Sequence, residues 1–259
     1  MIPSPLMTTR DSAPPAAIPA TDKVFDTPDD AIQDFAFNKT VAAVFDDMVD
    51  RSVPYYREIQ RMTGQLAADF ARPGTRIYDL GCATGTTMAL MDHCVKEDVT
   101  LVGIDNSAEM LEKCRQKLDL ARIEKPYELV DADLNKDLVI ENASVVLLVL
   151  TLQFVRPLHR ERLMRQVYEG LNPGGCVILV EKVLGESSHL NRLFIEHYYE
   201  MKRTKGYSDM EIARKREALE NVLVPYRLTE NLDLLAKIGF SEEDTFFKWY
   251  NFCGIVAVK

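Results

Sequence analysis

The chain of 259 residues has few of the features that indicate metal, membrane or nucleic-acid proteins. It contains only four histidines and five cysteines, and no two cysteines form a CxxC pair, so neither a metal site nor a disulfide framework is predicted. No apolar run approaches the roughly 20 residues that a membrane-spanning helix needs. The net charge of −9 lacks the basic excess on which phosphate contacts usually depend. These absences favour a cytoplasmic protein with reduced thiols, no membrane and no direct nucleic-acid binding, which acts on a small molecule.

The N-terminus and the remainder of the chain differ in composition. The first two dozen residues are rich in Pro, Ala, Ser and Thr, and lack the basic start and apolar stretch of a secretory signal. We predict a disordered tail over residues 1–33. Residues 34–259 are numerous enough to bury the core of a single domain.

From residue 76 to residue 180, short apolar runs alternate with longer amphipathic stretches. This alternation predicts a mostly parallel sheet with helices on both faces. The expected strands are 76–80, 100–104, 127–130, 145–150 and 177–180, and the expected helices are 41–50, 55–70, 108–118 and 159–171. Residues 172–175 (Asn-Pro-Gly-Gly) are expected to form a turn before the fifth strand.

The C-terminal third departs from this alternation. Residues 186–225 are expected to form a helical insertion of two helices separated by Gly206, the second beginning with a capping box between Ser208 and Glu211. A helix ending near Gly239 and two apolar runs around Phe246 and Ile255 predict a closing antiparallel hairpin. The pattern as a whole predicts a Rossmann-like methyltransferase fold with a seven-stranded sheet and additional N-terminal helices.

A candidate nucleoside site follows the first three expected strands. Asp79-Leu80-Gly81-Cys82-Ala83-Thr84-Gly85 places glycines at a turn that a ligand can approach closely. Asp105 ends the second strand, where a carboxylate can accept hydrogen bonds from a ribose diol, and Asp133 follows the third, where it can meet an adenine amine. The strict GxGxxG of dinucleotide binding is absent, so the spacing favours S-adenosylmethionine over NAD.

Seven motifs in one order extend this pattern along the chain. They are Arg51-Ser52-Val53-Pro54-Tyr55-Tyr56, Tyr78-Asp79-Leu80-Gly81-Cys82, Ile104-Asp105-Asn106-Ser107, Ile140-Glu141-Asn142-Ala143-Ser144, Thr151-Leu152-Gln153-Phe154, Gly170-Leu171-Asn172-Pro173-Gly174-Gly175 and Lys215-Arg216. In these motifs the chain resembles the carboxy-S-adenosyl-L-methionine synthase family, within the S-adenosylmethionine-dependent methyltransferase-like superfamily. The likeness runs from about Val41 to the C-terminus.

The resemblance implies a reaction and its participants. The family converts S-adenosylmethionine and prephenate to carboxy-S-adenosylmethionine and phenylpyruvate, with no metal. The product serves a partner enzyme that carboxymethylates wobble uridine in tRNA, and the enzyme is expected to be a homodimer.

The resemblance also implies the residues of the site. Arg216 is the expected catalytic residue: it would bind the new carboxylate, from either its own subunit or the other one. The expected cofactor contacts are Tyr56, Gly81, Cys82, Ala83, Gly85, Asp105, Asn106, Asp133, Leu134, Val149 and Arg216. Within its run of basic residues, Arg216 could equally belong to a solvated helix face. Tyr198 and Tyr199 could line a prephenate pocket, although packing is the simpler interpretation.

Three departures from the family pattern bear on the site. Val149 stands where the family commonly has an asparagine, Ala83-Thr84 replaces the usual Ser-Leu, and one extra residue lies between Asp133 and Ile140. Val149 keeps open the alternative of an ordinary small-molecule methyltransferase. A non-catalytic protein that binds the same nucleoside is the third possibility.

Overall fold

The computed structural model describes residues 21–26 and 34–259, and within these ranges the predicted alternation of strands and helices is present. The helices are α1 (Lys39–Ser52), α2 (Tyr56–Phe70), α3 (Thr86–Cys94), α4 (Ala108–Ala121), α5 (Pro157–Gly170), α6 (Ser188–Thr204), α7 (Asp209–Leu219) and α8 (Leu228–Ile238). The strands are β1 (Thr75–Leu80), β2 (Val99–Asp105), β3 (Tyr127–Asp131), β4 (Ala143–Val149), β5 (Leu171–Lys182), β6 (Glu242–Trp249) and β7 (Phe252–Val258).

The seven strands form one sheet in the order β3-β2-β1-β4-β5-β7-β6. The first five are parallel, whereas β7 pairs antiparallel with both β5 and β6. The carboxyl ends of β1, β2 and β4 therefore meet at one edge, where the strand order reverses between β1 and β4. In such sheets this edge is where ligands bind.

Alternating side chains of the central strands divide the core into two layers. On β4, Val146 and Leu148 pack with α5 and α8, while Val145 and Leu147 pack with α2, α3 and α4. This period of two is the geometry of a strand buried on both faces. The prediction of a Rossmann-like α/β fold with helices on both faces is confirmed.

The insertion also follows the prediction. Helix α6 ends before Gly206, and α7 begins with the predicted capping box, in which the Ser208 hydroxyl accepts the Glu211 N–H. Gly239 ends α8 in the left-handed conformation.

Three local expectations differ from the structure. Helix α2 begins at Tyr56, one residue later than expected, because Tyr55 is its N-cap and has a left-handed backbone. Residues 172–175 lie within β5 and not before it, but they form a bulge: the register with β4 passes from Leu171 opposite Ala143 to Cys176 opposite Val145, and Gly174 has a φ of +74°. Residues 21–26, within the expected tail, are placed against the domain, and Asp22 is only 2% exposed because it hydrogen-bonds to Tyr207. The rest of that expected tail lies outside the described residues.

Candidate active site

A cavity of about 360 Å³ opens at the carboxyl edge of the sheet, where the predicted site residues were expected. This volume is in the range of small-molecule sites. Its walls come from the loops after β1, β2, β3 and β4, from α1 and α2, and from the insertion. The predicted residues that line it are Tyr56, Gly81, Cys82, Ala83, Asp105, Asn106, Asp133, Leu134 and Val149.

The loop after β1 is held in a conformation that brings its backbone to the cavity. Gly81 has a φ of +77°, and a Cβ there would lie 2.6 Å from the Thr151 side chain. Ala83 is also left-handed, with a φ of +45°, and its N–H donates to Asp105 Oδ2 at 3.0 Å. Cys82 contributes backbone to the cavity, whereas its thiol is buried. The hydrogen bond with Cys114 and this burial raise the pKa of the Cys82 thiol, so the group stays neutral.

Asp105 links the loop to the cavity. Its Oδ1 accepts the Ser107 N–H at 2.9 Å, and its Oδ2 accepts the Ala83 N–H. Burial raises the pKa of Asp105, while these backbone donors act in the opposite direction. A carboxylate oxygen has more than one acceptor site, so Asp105 can also receive ribose hydroxyls.

The loop after β3 supplies a second carboxylate beside apolar side chains. Asp133 Oδ1 accepts the backbone N–H of Asn135 at 2.9 Å, and this bond lowers the pKa of Asp133. Leu134 is buried next to it, and Phe37 meets Phe154 edge-to-face at 5.2 Å on the same cavity. Apolar walls with one carboxylate at the edge suit a flat heterocycle that carries an amine.

Tyr56 and Val149 line the wall between α2 and the end of β4. The Tyr56 hydroxyl accepts a hydrogen bond from Gln60 Nε2 at 3.0 Å, and burial raises the pKa of the phenol, so the group remains protonated. Val149 is half-buried and packs against apolar side chains from α1, α2 and β5. No side-chain amide is therefore available at the position where the family commonly has one.

Two predicted residues do not line this cavity. At Gly85 a Cβ would lie 2.5 Å from Cys114 Sγ, so the α-carbon faces α4. Gly85 is the N-cap of α3. Arg216 is exposed on α7 and lines a smaller neighbouring cavity of about 170 Å³. Its side chain projects away from the larger cavity because Lys215, one residue earlier, occupies the inward face of the helix.

Two groups of polar side chains at the site were not predicted from the sequence. In the first, Lys117 Nζ lies 2.7 Å from Asp46 Oδ2 and donates to the hydroxyls of Thr84 and Thr86. Burial alone would raise the pKa of Asp46, but the hydrogen bonds from Lys117 and Thr84 lower it below its usual value. This network joins α1 and α4 to the glycine loop, and its members are too far apart in sequence to form a recognisable motif.

The second group comprises three lysines at the border of the two cavities. Lys182, Lys202 and Lys215 come from the end of β5, α6 and α7, and burial lowers the pKa values of their ammonium groups to about 8, 7 and 8 respectively. Lys182 is the last residue of β5, and a lysine at the end of a mostly apolar strand was the available sequence signal. Tyr198, which lines both cavities, also packs against Phe252.

The geometry fits S-adenosylmethionine, which carries two cations and a nucleoside. Asp79 Oδ2 is buried and has no hydrogen-bond partner among the residues that the structure describes. Burial and the neighbouring Asp105 raise the pKa of Asp79 to about 7. Asp79 does not line the cavity, whereas Asp105 does. A cationic ligand beside Asp105 would favour the charged forms of both carboxylates, as expected for a site that binds an ammonium and a sulfonium.

The described residues contain neither a metal-binding cluster nor a helix that could span a membrane. No three side chains of His, Cys, Asp or Glu in residues 21–26 and 34–259 are grouped so that they could hold a metal ion. The five cysteines are free thiols, four of them buried. Over the same ranges, no helix combines the length and the apolar character needed to cross a bilayer.

Comparison with known proteins defines first the class and then the family. A sequence family described as a methyltransferase domain matches residues 77–175. A solved structure of a putative S-adenosyl-L-methionine-dependent methyltransferase from Methanococcus maripaludis has a TM-score of 0.58 at 17% identity, covering 88% of this chain and 96% of that one. One from Aquifex aeolicus has a TM-score of 0.57 at 15% identity, covering 86% and 99%. The fold is thus that of the S-adenosylmethionine-dependent methyltransferases.

Much closer relatives give the family. The carboxy-S-adenosyl-L-methionine synthase of Methylococcus capsulatus is 56% identical over 239 residues, which are 92% of this chain and 99% of that protein. The protein of the same name from Desulfotalea psychrophila is 43% identical over 92% of this chain and 97% of its own length. The chain belongs to the carboxy-S-adenosyl-L-methionine synthase family, which confirms the resemblance seen in the sequence.

Proposed function

We propose that this enzyme transfers a carboxyl group from prephenate to the sulfonium methyl of S-adenosylmethionine, giving carboxy-S-adenosylmethionine and phenylpyruvate. The main support is the combination of a near-full-length relationship at 56% identity with a cavity lined by nine of the predicted contact residues. Within this proposal, Asp105 and Asn106 bind the ribose, and Asp133 and Leu134 bind the adenine.

The proposed reaction balances without an external oxidant or a metal. The ring carboxylate of prephenate leaves as carbon dioxide, and the ring becomes aromatic as its hydroxyl leaves. The sulfonium methyl loses one proton, and its carbon forms the new bond to carbon dioxide. That proton and the departing hydroxide form one water, so the site needs no separate general base. The protein positions and orients the two substrates relative to each other and excludes bulk water from the site.

Arg216 is proposed to bind the new carboxylate, as a guanidinium can do bidentately. In one chain it is exposed and does not line the larger cavity, which supports its contribution to the site of a second copy. Helix α6 also presents Leu190 and Leu193, 42% and 37% exposed, on the insertion that would form such an interface. We therefore propose a homodimer in which Arg216 acts across the interface.

The first test of the function is to incubate the purified enzyme with S-adenosylmethionine and prephenate and to analyse the nucleosides by mass spectrometry. A product heavier than S-adenosylmethionine by one carboxyl group, formed only with prephenate, is expected. Conversion to S-adenosylhomocysteine regardless of prephenate would support the ordinary methyltransferase instead. Binding of S-adenosylmethionine with no product under any condition would support a non-catalytic protein.

The contribution of Arg216 across the interface can be tested by mixing two inactive variants. Arg216→Ala keeps its own nucleoside site, and Asp105→Ala keeps its arginine. If Arg216 acts in the other subunit, a mixed dimer has one complete site, and an equimolar mixture should recover about one quarter of the wild-type activity. No recovery in a mixture that sedimentation and subunit exchange show to contain mixed dimers would place Arg216 in its own site.

We further propose that the product is used by a tRNA uridine carboxymethyltransferase at the wobble position and that the enzyme works in the cytoplasm. The family relationship and the acidic net charge of −9 support a protein that passes on a small molecule and does not itself bind tRNA. Deleting the gene should abolish carboxymethylated wobble uridine, and the Arg216→Ala variant should not restore it.

A further inference from the structure

We propose that Lys182, Lys202 and Lys215, together with Tyr198, form a subsite for a dicarboxylate substrate beside the cavity of the nucleoside. This inference rests on the proposed function, in which prephenate, a dianion with one carboxylate on its ring and one on its pyruvyl side chain, is the second substrate. It adds the residues that bind this substrate.

The three lysines lie at the border between the two cavities. Lys182, Tyr198 and Lys215 line both the cavity of about 360 Å³ and the neighbouring one of about 170 Å³, so the two spaces share a wall. Lys202 lines the smaller cavity and is 3% exposed. A ligand held by these ammonium groups would lie directly beside the cavity proposed for S-adenosylmethionine.

Few carboxylates lie close enough to the three lysines to balance their charge. Within the described residues, Asp22 is the only carboxylate that forms an ion pair with any of the three lysines, at 3.6 Å from Lys215 Nζ. Glu211 is nearby, but its Oε2 already accepts the N–H and the hydroxyl of Ser208. Arg216 and Glu220 also line the smaller cavity, but both are exposed and of opposite charge, so they leave the excess positive charge of the lysines unchanged. Three buried lysines against so little negative charge are unfavourable unless an anion is bound.

The tyrosine rings explain how the unliganded protein tolerates these ammonium groups. Lys182 Nζ lies 4.8 Å from the centre of the Tyr198 ring, and Lys202 Nζ lies 4.9 Å from that of Tyr207. A cation–π contact stabilises an ammonium without an acceptor atom. In the described part of the chain, neither Lys182 nor Lys202 has an ion pair, so their N–H donors remain able to bind a carboxylate.

The chemistry of the substrate decides which carboxylate the lysines hold. A carboxylate that must leave as neutral carbon dioxide would be held back by close ammonium groups, because they stabilise the charge that the reaction removes. The pyruvyl carboxylate keeps its charge throughout. The lysines therefore bind the pyruvyl end, and the ring carboxylate points towards the shared wall and the sulfonium.

The test compares Lys182→Met and Lys202→Met with the matched control Lys205→Met in the full chain. Lys205 caps the end of α6 on the exposed surface, so its substitution removes the same charge outside both cavities. Loss of a charge-assisted hydrogen bond should raise KM for prephenate roughly 10- to 100-fold in the first two variants. Affinity for S-adenosylmethionine should stay within about twofold, and the control should match the wild type. Lys182→Arg should recover part of the loss.

Unchanged KM for prephenate in both buried-lysine variants would overturn the subsite. If those variants fail to fold, the wild type provides a second measurement. Prephenate is titrated calorimetrically into the complex with S-adenosylhomocysteine, which has no methyl to react, at pH 8 in two buffers of different ionisation enthalpy. An anion bound to these lysines should raise their pKa values, so that the protein takes up protons from the buffer and the measured heat depends on the buffer. Equal heats in the two buffers would contradict the proposal. If the wild type made no carboxylated product, the proposed function would be refuted instead. The titration measures binding alone, so its outcome does not depend on whether product is formed.

Discussion

The nucleoside cradle and the lysine subsite border each other, yet they are built in different ways. The cradle uses backbone N–H groups and carboxylates that follow successive strands, such as Ala83 and Asp105, 22 residues apart. The lysine subsite collects side chains from the end of β5, the insertion and the N-terminal segment, with Asp22 and Tyr207 separated by 185 residues. The first is set by strand order, whereas the second depends on how the insertion packs.

Because of this difference, one region of the molecule binds S-adenosylmethionine and another selects the second substrate. Changes in the cradle should affect S-adenosylmethionine first, and changes in the insertion should affect prephenate first.

The largest effect is expected for Asp105→Ala. This change removes the acceptor of the Ala83 and Ser107 N–H groups together with the proposed ribose contact. Loss of two charge-assisted hydrogen bonds predicts a Kd for S-adenosylmethionine at least about 100-fold higher by calorimetry. Asp131→Ala is the control, because Asp131 is the exposed register partner of Asp105 on β3. Equal losses in the two variants would mean that net charge, not the cradle, determines affinity.

Alanine variants of Gly81 and Gly74 distinguish the cost of a left-handed backbone from the cost of a steric clash. Gly81 and Gly74 have φ values of +77° and +72°, but only at Gly81 would a Cβ meet another group, Thr151 at 2.6 Å. Both alanine variants should lose about 1 kcal/mol of unfolding free energy from the left-handed conformation. Gly81→Ala should lose about 1–3 kcal/mol more, and S-adenosylmethionine binding with it. Urea unfolding measures both, and matching losses would argue against the close approach.

The buried carboxyl group of Asp79, whose Oδ2 has no hydrogen-bond partner in residues 21–26 and 34–259, gives a pH dependence with a definite sign. Its pKa is about 7 in the folded protein and near 4 in the unfolded chain. The folded state therefore holds the proton more tightly, and this contribution to stability is present below about pH 4 and lost as the pH rises through 7. Between pH 5.5 and 8 the wild type should lose about 2 kcal/mol relative to Asp79→Asn, measured by urea unfolding without ligand. Parallel pH profiles would show that Asp79 is not protonated in the folded state.

The smallest effect is expected for Val149→Asn, which restores the residue common in the family. The amide would replace apolar contacts with α1, α2 and β5, so the unliganded protein should lose about 1 kcal/mol of stability. One added hydrogen bond should lower the Kd for S-adenosylmethionine several-fold. Weaker binding by the variant would indicate that this chain uses the apolar wall itself. KM for prephenate should not change, which would again separate the two regions.

The sequence predicted the cradle well because its parts are local. Strand ends, the left-handed glycine at Gly81 and the carboxylate at Asp105 each leave a signal within a few residues. Gly85 shows the limit of such reasoning: its position in the motif is regular, but only the packing of α3 on Cys114 shows that its α-carbon faces away from the cavity.

The lysine subsite could not be read from the sequence in the same way. Lys215 belongs to a basic run that looks like a solvated helix face, yet it is 6% exposed, while its neighbour Arg216 is at the surface. Which side of α7 faces inward depends on contacts with α1 and the N-terminal segment, such as the hydrogen bond from Lys215 to Ser52. Neither composition nor helical spacing predicts those contacts.

The contact between Asp22 and Tyr207 constrains the order in which parts of the protein can fold during translation. The Asp22 side chain leaves the ribosome before nearly all of the domain, yet its hydrogen-bond donor follows 185 residues later. The core beside β4 also contains Leu235 of α8 and Ile255 of β7, which follow the insertion in the chain, so the domain is expected to fold as one unit after these residues have been made. Closure of the N-terminal segment over the insertion must then be among the last events, because a contact across so many residues cannot form earlier. A nascent chain stalled after β5 is thus expected to lack both the completed sheet and the contact between the N-terminal segment and the insertion.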